Sequence, residues 1–192
     1  MLILASGSPR RAEILTMLGY KFTVEVADCD ESVGEMNAAD AVALLSRRKA
    51  QAVADLHGNE PETGTVVLGS DTLVTLDGKV LGKPRDNSDA RRMLRMLSGR
   101  THTVYTGVTV IGSSTVTEVS AAHVTFGNLS DSDISRYIAT GEPSDKAGAY
   151  GIQGRGAVLI DRIEGDFFTV MGLPARMCAE MLSKCGIYPN EK

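Results

Sequence analysis

Arg10 and Arg11 stand side by side after a run of small residues, Ala5-Ser6-Gly7-Ser8-Pro9, and before the apolar spacing of Ile14, Leu15 and Leu18. That order predicts a buried strand over Leu2-Ile3-Leu4, a short loop, and a helix. A helix start points unpaired N–H groups and the positive end of its dipole at one place, and the Ser6 hydroxyl and the guanidinium groups would add donors there. Two arginines in a first turn oppose the dipole unless a negative partner compensates them, so phosphate is the expected guest. Ser8 and Pro9 need no more than a cap and a first helical position.

Further along, charges stand where the pattern wants apolar residues. A helix from a cap near Asn37 to about Leu56 puts Val42, Leu45, Ala52, Val53 and Leu56 on one face. Lys49 falls near the centre of that face at about 100° per residue, while Arg47, Arg48, Gln51 and Asp55 point elsewhere. Such an ammonium either snorkels outward or meets a negative charge, because an unpaired buried one is costly. Asp71 follows the apolar run Thr65 to Leu68 inside Gly69-Ser70-Asp71-Thr72, an expected strand end of the kind where α/β proteins place ligands. A carboxylate there holds a divalent cation, takes a proton from water, or caps the next turn. Lys83-Pro84 and the pair Asp30-Glu31 are loop charges that solvation alone explains equally well. The segment 140–154 is glycine-dense, carries Asp145 and Lys146, and offers in Gln153 both a donor and an acceptor, the equipment for reading a base edge.

Those groups need elements to hold them. The chain has 192 residues, 43% of them apolar, enough for one substantial domain, and its net charge of -4 excludes a nucleic-acid-coating or polybasic membrane-binding protein. The first apolar run is too short for a signal peptide or a membrane span, so cytoplasm is expected. Cys29, Cys178 and Cys185 are expected reduced and structural, and His57, His102 and His123 lack zinc spacing.

Strands are expected at 21–27, 65–68, 73–76 and 79–81, with an Asp77-Gly78 hairpin turn. A helix capped at Asn87 or Ser88 is closed by Gly99. A Val/Thr-rich hairpin follows, 101–111 with 115–126 around Gly112-Ser113-Ser114. Ser130-Asp131-Ser132-Asp133 resembles a capping box. A strand at 157–163, an extended piece at 167–170 and a helix from near Pro174 complete the chain. Strict βαβ alternation is absent, which favours a layered α/β or α+β sheet with hairpins over a doubly wound fold.

Several segments together resemble the Maf family of nucleoside triphosphate pyrophosphatases from one end of the chain to the other. They are Leu4 to Arg11, Asp30-Glu31, Lys49-Ala50, Gly69 to Thr72, Gly82-Lys83-Pro84, Leu97 to His102, the 140–154 loop and Gly172-Leu173-Pro174. The resemblance implies a single domain over 1–192 with a mixed sheet, flanking helices and a central cleft between two lobes, similar to inosine triphosphate pyrophosphatases. It also implies a divalent metal, Mg²⁺ or Mn²⁺, and hydrolysis of a nucleoside triphosphate to monophosphate and pyrophosphate. Residues 145–154 look like the branch acting on dTTP and UTP rather than on 7-methyl-GTP.

By the same resemblance Asp71 is the proton acceptor, and Arg10, Thr72 and Gln153 bear on base choice. Ser6, Arg11, Lys49 and Lys83 would hold the triphosphate with Lys146 in the substrate loop, and Glu31 with Asp71 would hold the metal. Neither nucleic acid nor membrane is an expected partner. A homodimer is expected, with the 101–126 hairpin as its contact surface. Ser70 departs from the usual Ala, and Ala175-Arg176 from a usual apolar residue. The competing readings are a nucleotide-binding regulator of cell division without turnover, against which Asp71, Glu31 and Lys49 argue, and a sugar-phosphate or nucleic-acid phosphatase, which leaves the 140–154 loop unexplained.

Overall fold

A computed structural model describes residues 1–57 and 64–190. Its strands form one seven-stranded mixed sheet in the order β2-β1-β3-β5-β6-β7, with β4 paired to β3. The chain divides into two compact units, one of Met1–Asp71, Thr106–Ser120 and Gly172–Lys192, the other of Thr72–Tyr105 and Ala121–Met171. The strands β3 (Val66–Leu76), β5 (Thr101–Ile111) and β6 (Thr115–Phe126) each give one portion to each unit.

In the first unit, β1 (Leu2–Ala5) is buried along its whole length and runs parallel to both β2 (Thr23–Glu25) and β3, with Ala5 opposite Gly69. Near-continuous apolar sequence is what a strand needs when no face meets water. Helix α1 (Pro9–Met17) has Pro9 in its first turn, and α2 (Ala38–Leu56) opens at Asn37, whose side chain accepts a hydrogen bond from the Asp40 N–H. Ala50, Val53 and Ala54 of α2 pack with Ile3, Ala5 and Val67.

The approach of α2 to β3 is close enough to dictate a residue. A Cβ on Gly69 would lie 2.4 Å from the Ser46 carbonyl and 2.7 Å from the Ala50 nitrogen, so only glycine fits without movement. The Ser46 hydroxyl also bonds Thr109 on β5 at 2.9 Å, fixing the helix along its axis. Lys49 is therefore placed by packing on both sides of it in sequence.

The second unit holds β4 (Lys79–Leu81), α3 (Asn87–Leu97), α4 (Asp131–Ile138), β7 (Ile160–Glu164) and α5 (Phe167–Met171), while α6 (Ala175–Lys184) returns to the first. Its core includes Leu76, Met93, Leu94, Leu97, Phe126 and Ile134 among its buried members. Both turn residues of the β3–β4 hairpin have positive φ, 52° at Asp77 and 75° at Gly78, as a tight two-residue hairpin requires. Ser130 and Asp133 form the expected capping box reciprocally.

Several boundaries differ from expectation. Asp71 lies inside β3, which runs unbroken to Leu76, not at a strand end. The piece at 167–170 is helical, because Asp166 accepts from the Phe168 and Thr169 N–H groups and caps α5. The strand expected at 157–163 begins at Ile160, after a 3₁₀ turn over Gly154–Leu159. The strand at 21–27 shrinks to Thr23–Glu25, and α3 is capped by Asp86 rather than Asn87 or Ser88. All three cysteines are free. No helix among the described residues is long and apolar enough to cross a membrane.

Candidate functional site

Within the first unit, α2 delivers Lys49 to β3, where its Nζ donates to Asp71 Oδ1 at 2.6 Å. The same ammonium lies 2.9 Å from Glu31 Oε1, on the loop after β2. Burial alone would lower the Lys49 pKa, but the Asp71 charge and the hydrogen bonds to Asp71 and Glu31 outweigh it, so the net shift is upward. Lys49 is thus held charged between two carboxylates. Asp71 is itself buried, its residue 8% exposed, and its Oδ2 has no hydrogen-bond partner among the described residues. Glu31 faces outward, and its neighbour Asp30 pairs with Arg48 at 3.3 Å.

Arg11 approaches the same cluster from α1. Its guanidinium is buried, donating from one terminal nitrogen to Ser6 Oγ at 2.8 Å and from Nε to the Gly172 carbonyl at 2.9 Å. Burial pushes its pKa down to about 10, against the raising effect of Asp71, so it remains a cation at neutral pH. The Gly172 carbonyl accepts a second bond, from Ser70 Oγ at 3.0 Å, so the residue before Asp71 is tied to the acceptor that orients Arg11. This gives the Ser70 hydroxyl, unusual for the resembled family, a partner inside the protein. Ser8 is the N-cap of α1 by position, but its side chain makes no capping bond; its own N–H donates to Ser6 Oγ at 3.3 Å. Arg10 is partly exposed and makes no hydrogen bond or ion pair among the described residues.

The other expected site residues belong to the second unit. Thr72 is half-buried in β3, Lys83 is exposed, and Gln153 is exposed immediately before the Gly154–Leu159 turn. Lys146 donates to the Glu142 carbonyl at 2.8 Å and to Asp145 at 2.7 Å. The Gly148 N–H donates to the Gly82 carbonyl at 3.0 Å, which joins the loop carrying Lys83 to the segment carrying Lys146. Ser6, Arg11, Glu31, Lys49 and Asp71 are brought together in one unit, while Lys83, Lys146 and Gln153 belong to the other.

Two features of these regions escaped the sequence reading. Arg11 was expected to face the guest, yet it turns inward to a carbonyl 161 residues away. Glu142, singled out for no role, accepts from the Tyr137 hydroxyl and from two backbone N–H groups further along the chain. Neither contact has a local sequence signal.

No group of three or more His, Cys, Asp or Glu residues suited to a metal occurs among the described residues. The donor set of Glu31 and Asp71 is nonetheless all oxygen, which suits a hard cation. Mg²⁺ commonly takes one or two carboxylates and completes its shell with water and phosphate oxygens. Lys49 supplies the positive charge between these carboxylates in the structure, so a divalent ion fits if the ammonium shifts from at least one of them.

Comparison with known proteins follows the same lines. The model of the Maf-like protein family matches residues 1–185. A Moorella thermoacetica protein named dTTP/UTP pyrophosphatase is 51% identical over 191 residues, covering 97% of this chain and 95% of that one. A Bacillus cytotoxicus protein of the same name is 48% identical over 182 residues, 93% of each. Among solved structures, the Staphylococcus aureus Ham1 protein aligns over 65% of this chain and 71% of its own, at 13% identity and a TM-score of 0.46. With the family pattern spanning nearly its whole length and relatives sharing about half its residues, the chain belongs to the Maf-like family.

Proposed function

We propose that this protein is a nucleoside triphosphate pyrophosphatase acting on dTTP and UTP, releasing pyrophosphate and the monophosphate and so clearing surplus or modified pyrimidine nucleotides. The observation that carries the reading is the cluster in the first unit, where Lys49 donates to Asp71 beside the Arg11–Ser6 pair. The names of the relatives at 48% and 51% identity support the substrate class.

In this reading Asp71 Oδ2 takes a proton from water as the water oxygen bonds to the α-phosphorus. The bond from that phosphorus to the bridging oxygen breaks, and pyrophosphate leaves with the electron pair. Lys49, Arg11 and Lys83 offset the charge gathering on the phosphate oxygens, and Ser6 donates to one of them. Arg11 contributes its charge while holding Ser6 and the Gly172 carbonyl in place. Work of this kind, positioning and charge stabilisation, is most of what phosphoryl chemistry asks of a protein. A Mg²⁺ or Mn²⁺ ion on Glu31 and Asp71 would draw further charge from the phosphate oxygens.

Arg10, Thr72, Lys146 and Gln153 serve the nucleoside end. The Gln153 amide can pair with the O4 and N3–H edge that uracil and thymine share and leaves cytosine mismatched. A cytoplasmic setting and a homodimer through the β5–β6 hairpin belong to the same proposal.

The test is pyrophosphate release over a panel of nucleoside triphosphates with Mg²⁺, Mn²⁺ or chelator. The expected result is metal-dependent turnover of dTTP and UTP well above CTP and the purines. Binding of these nucleotides without any turnover would favour the regulator instead.

A further inference from the structure

Among the described residues Gln153 has no side-chain partner of its own, so whatever aims it must act through the backbone on either side. Both sides lead to one carboxylate. Upstream, the Gly151 N–H donates to the Tyr137 hydroxyl at 3.0 Å, and that hydroxyl donates to Glu142 Oε1 at 3.0 Å. Downstream, the Arg155 N–H donates to Glu142 Oε2 at 3.0 Å and the Gly156 N–H to Oε1 at 3.1 Å. Glu142 is fixed in turn: its N–H donates to Thr140 Oγ1 at 3.1 Å, and its carbonyl receives the Lys146 ammonium at 2.8 Å.

We infer that Glu142 is a positioning residue for base selection, its carboxylate clamping Gly151 and the Arg155–Gly156 pair so that Gln153 is presented to the pyrimidine edge in one orientation. Three features single it out. An ionised carboxylate accepting backbone N–H groups forms charge-assisted bonds, stronger than neutral ones. The backbone is closely packed at the clamp, since a Cβ on Gly156 would lie 2.2 Å from the Gly151 carbonyl. The loop also has short 3₁₀ turns at Glu142–Asp145, Ala147–Ala149 and Gly154–Leu159 in place of a regular element, so side-chain ties must supply the order that a helix or strand would give.

Glu142 has no reacting atom to touch in this role. It acts through Gln153, and the inference rests on the proposed assignment of Gln153 to the base.

The experiment uses the full-length chain with Glu142→Gln, Glu142→Asp and Tyr137→Phe, measuring kcat and KM for UTP, dTTP and CTP, and amide exchange at Gly151, Arg155 and Gly156. Glu142→Gln keeps the size but sets an NH₂ against a backbone donor. Its UTP-to-CTP ratio of kcat/KM should fall about tenfold, the worth of one such bond, and mainly through a higher KM for UTP. Exchange at the three amides should quicken together. Tyr137→Phe, which cuts only the Gly151 arm, should move the ratio in the same direction by less, and Glu142→Asp should recover part of it by keeping the charge.

An equal loss on all three nucleotides, with the ratio unmoved, would reduce Glu142 to a structural role and overturn the inference. Unchanged amide exchange in Glu142→Gln would overturn the clamp itself, whatever the kinetics. A wild-type protein that does not prefer UTP over CTP is a failure of the parent reading, visible before any substitution is made.

Discussion

The two units fix their candidate residues by opposite means. In the first, Lys49 and Asp71 sit on a helix and a strand whose contact is so tight that only glycine fits at position 69, and the charged groups bond one another directly. In the second, Lys146 and Gln153 ride on a chain of 3₁₀ turns, ordered by bonds from backbone to the Glu142 carboxylate and the Tyr137 hydroxyl. Regular elements hold a group to within a fraction of an ångström because the whole core resists displacement, which suits proton transfer and charge stabilisation. A loop tied by a few polar bonds can be retuned by changing one of them, which suits a choice among bases. Reaction and selection should therefore respond to different substitutions.

Asp71→Asn gives the largest expected break. It removes the proton acceptor and unbalances Lys49 while leaving the second unit untouched. The expected fall in kcat is about 10³-fold, within the range for losing a positioned general base, with the UTP-to-CTP ratio retained. Pyrophosphate release under saturating metal checks it. Wild-type turnover in this variant would remove Asp71 from its role.

The same contrast governs what the sequence made legible. Lys49 was visible because a helix repeats every 3.6 residues and the lysine fell on the apolar face. The acid at Asp71 was visible as the one charge following a buried apolar run. Its position in mid-strand was not, because Gly69-Ser70 looks like the start of a loop. The glycine is there for the close approach of α2 and the serine for the Gly172 carbonyl, both tertiary requirements. Phe167-Phe168-Thr169-Val170 has strand-like composition, yet the Asp166 cap and the packing of Val170 on the second core prevail over propensity. The cap of α3 was not legible because Asp86, Asn87 and Ser88 can each cap, and it is the Asp86 carboxylate that accepts the Asp89 N–H. In the second unit the loop's composition announced itself, but Glu142's partners lie 13 and 14 residues downstream, beyond any local pattern.

A second test probes a polar group locked inside the core of the second unit. His102 on β5 is 2% exposed, in edge-to-face contact with Phe126 and Tyr150 at ring separations of 5.2 Å. Its Nε2 meets the Tyr150 hydroxyl at 2.7 Å, and its Nδ1 has no partner among the described residues. An imidazolium would need an acceptor at each nitrogen, and burial pushes the pKa from 6.5 down to about 4. The folded value lies below the unfolded one, so the unfolded chain takes up the proton first. This contribution to stability is complete above about pH 6.5 and drains away as the pH falls toward 4, by about 3 kcal/mol in all. In urea unfolding at a series of pH values, His102→Gln should flatten that slope relative to wild type. An identical slope in both would place the titration elsewhere.

Gly69→Ala carries the comparison back to the first unit. The added Cβ must displace α2 from β3, an overpacking cost of about 1–3 kcal/mol. The displacement also separates Lys49 from Asp71, so turnover should fall with the melting temperature while the UTP-to-CTP ratio holds. A stable variant with full activity would mean that the close contact does not position the pair.

Ser130→Ala is the smallest and most local change. The Ser130 hydroxyl accepts the Asp133 N–H at 3.2 Å, and the Asp133 carboxylate accepts the Ser130 N–H at 2.9 Å, closing the start of α4. Losing the hydroxyl unties one of these bonds at a cost of about 1 kcal/mol in urea unfolding. Because α4 presents Tyr137 to Glu142, fraying of its first turn should reach the loop weakly: amide exchange at Gly151 should quicken slightly, and kcat for UTP should not change. Were kcat to drop as far as it does in Gly69→Ala, reaction and selection would share one mechanical element, and the division of labour between the two units would fail.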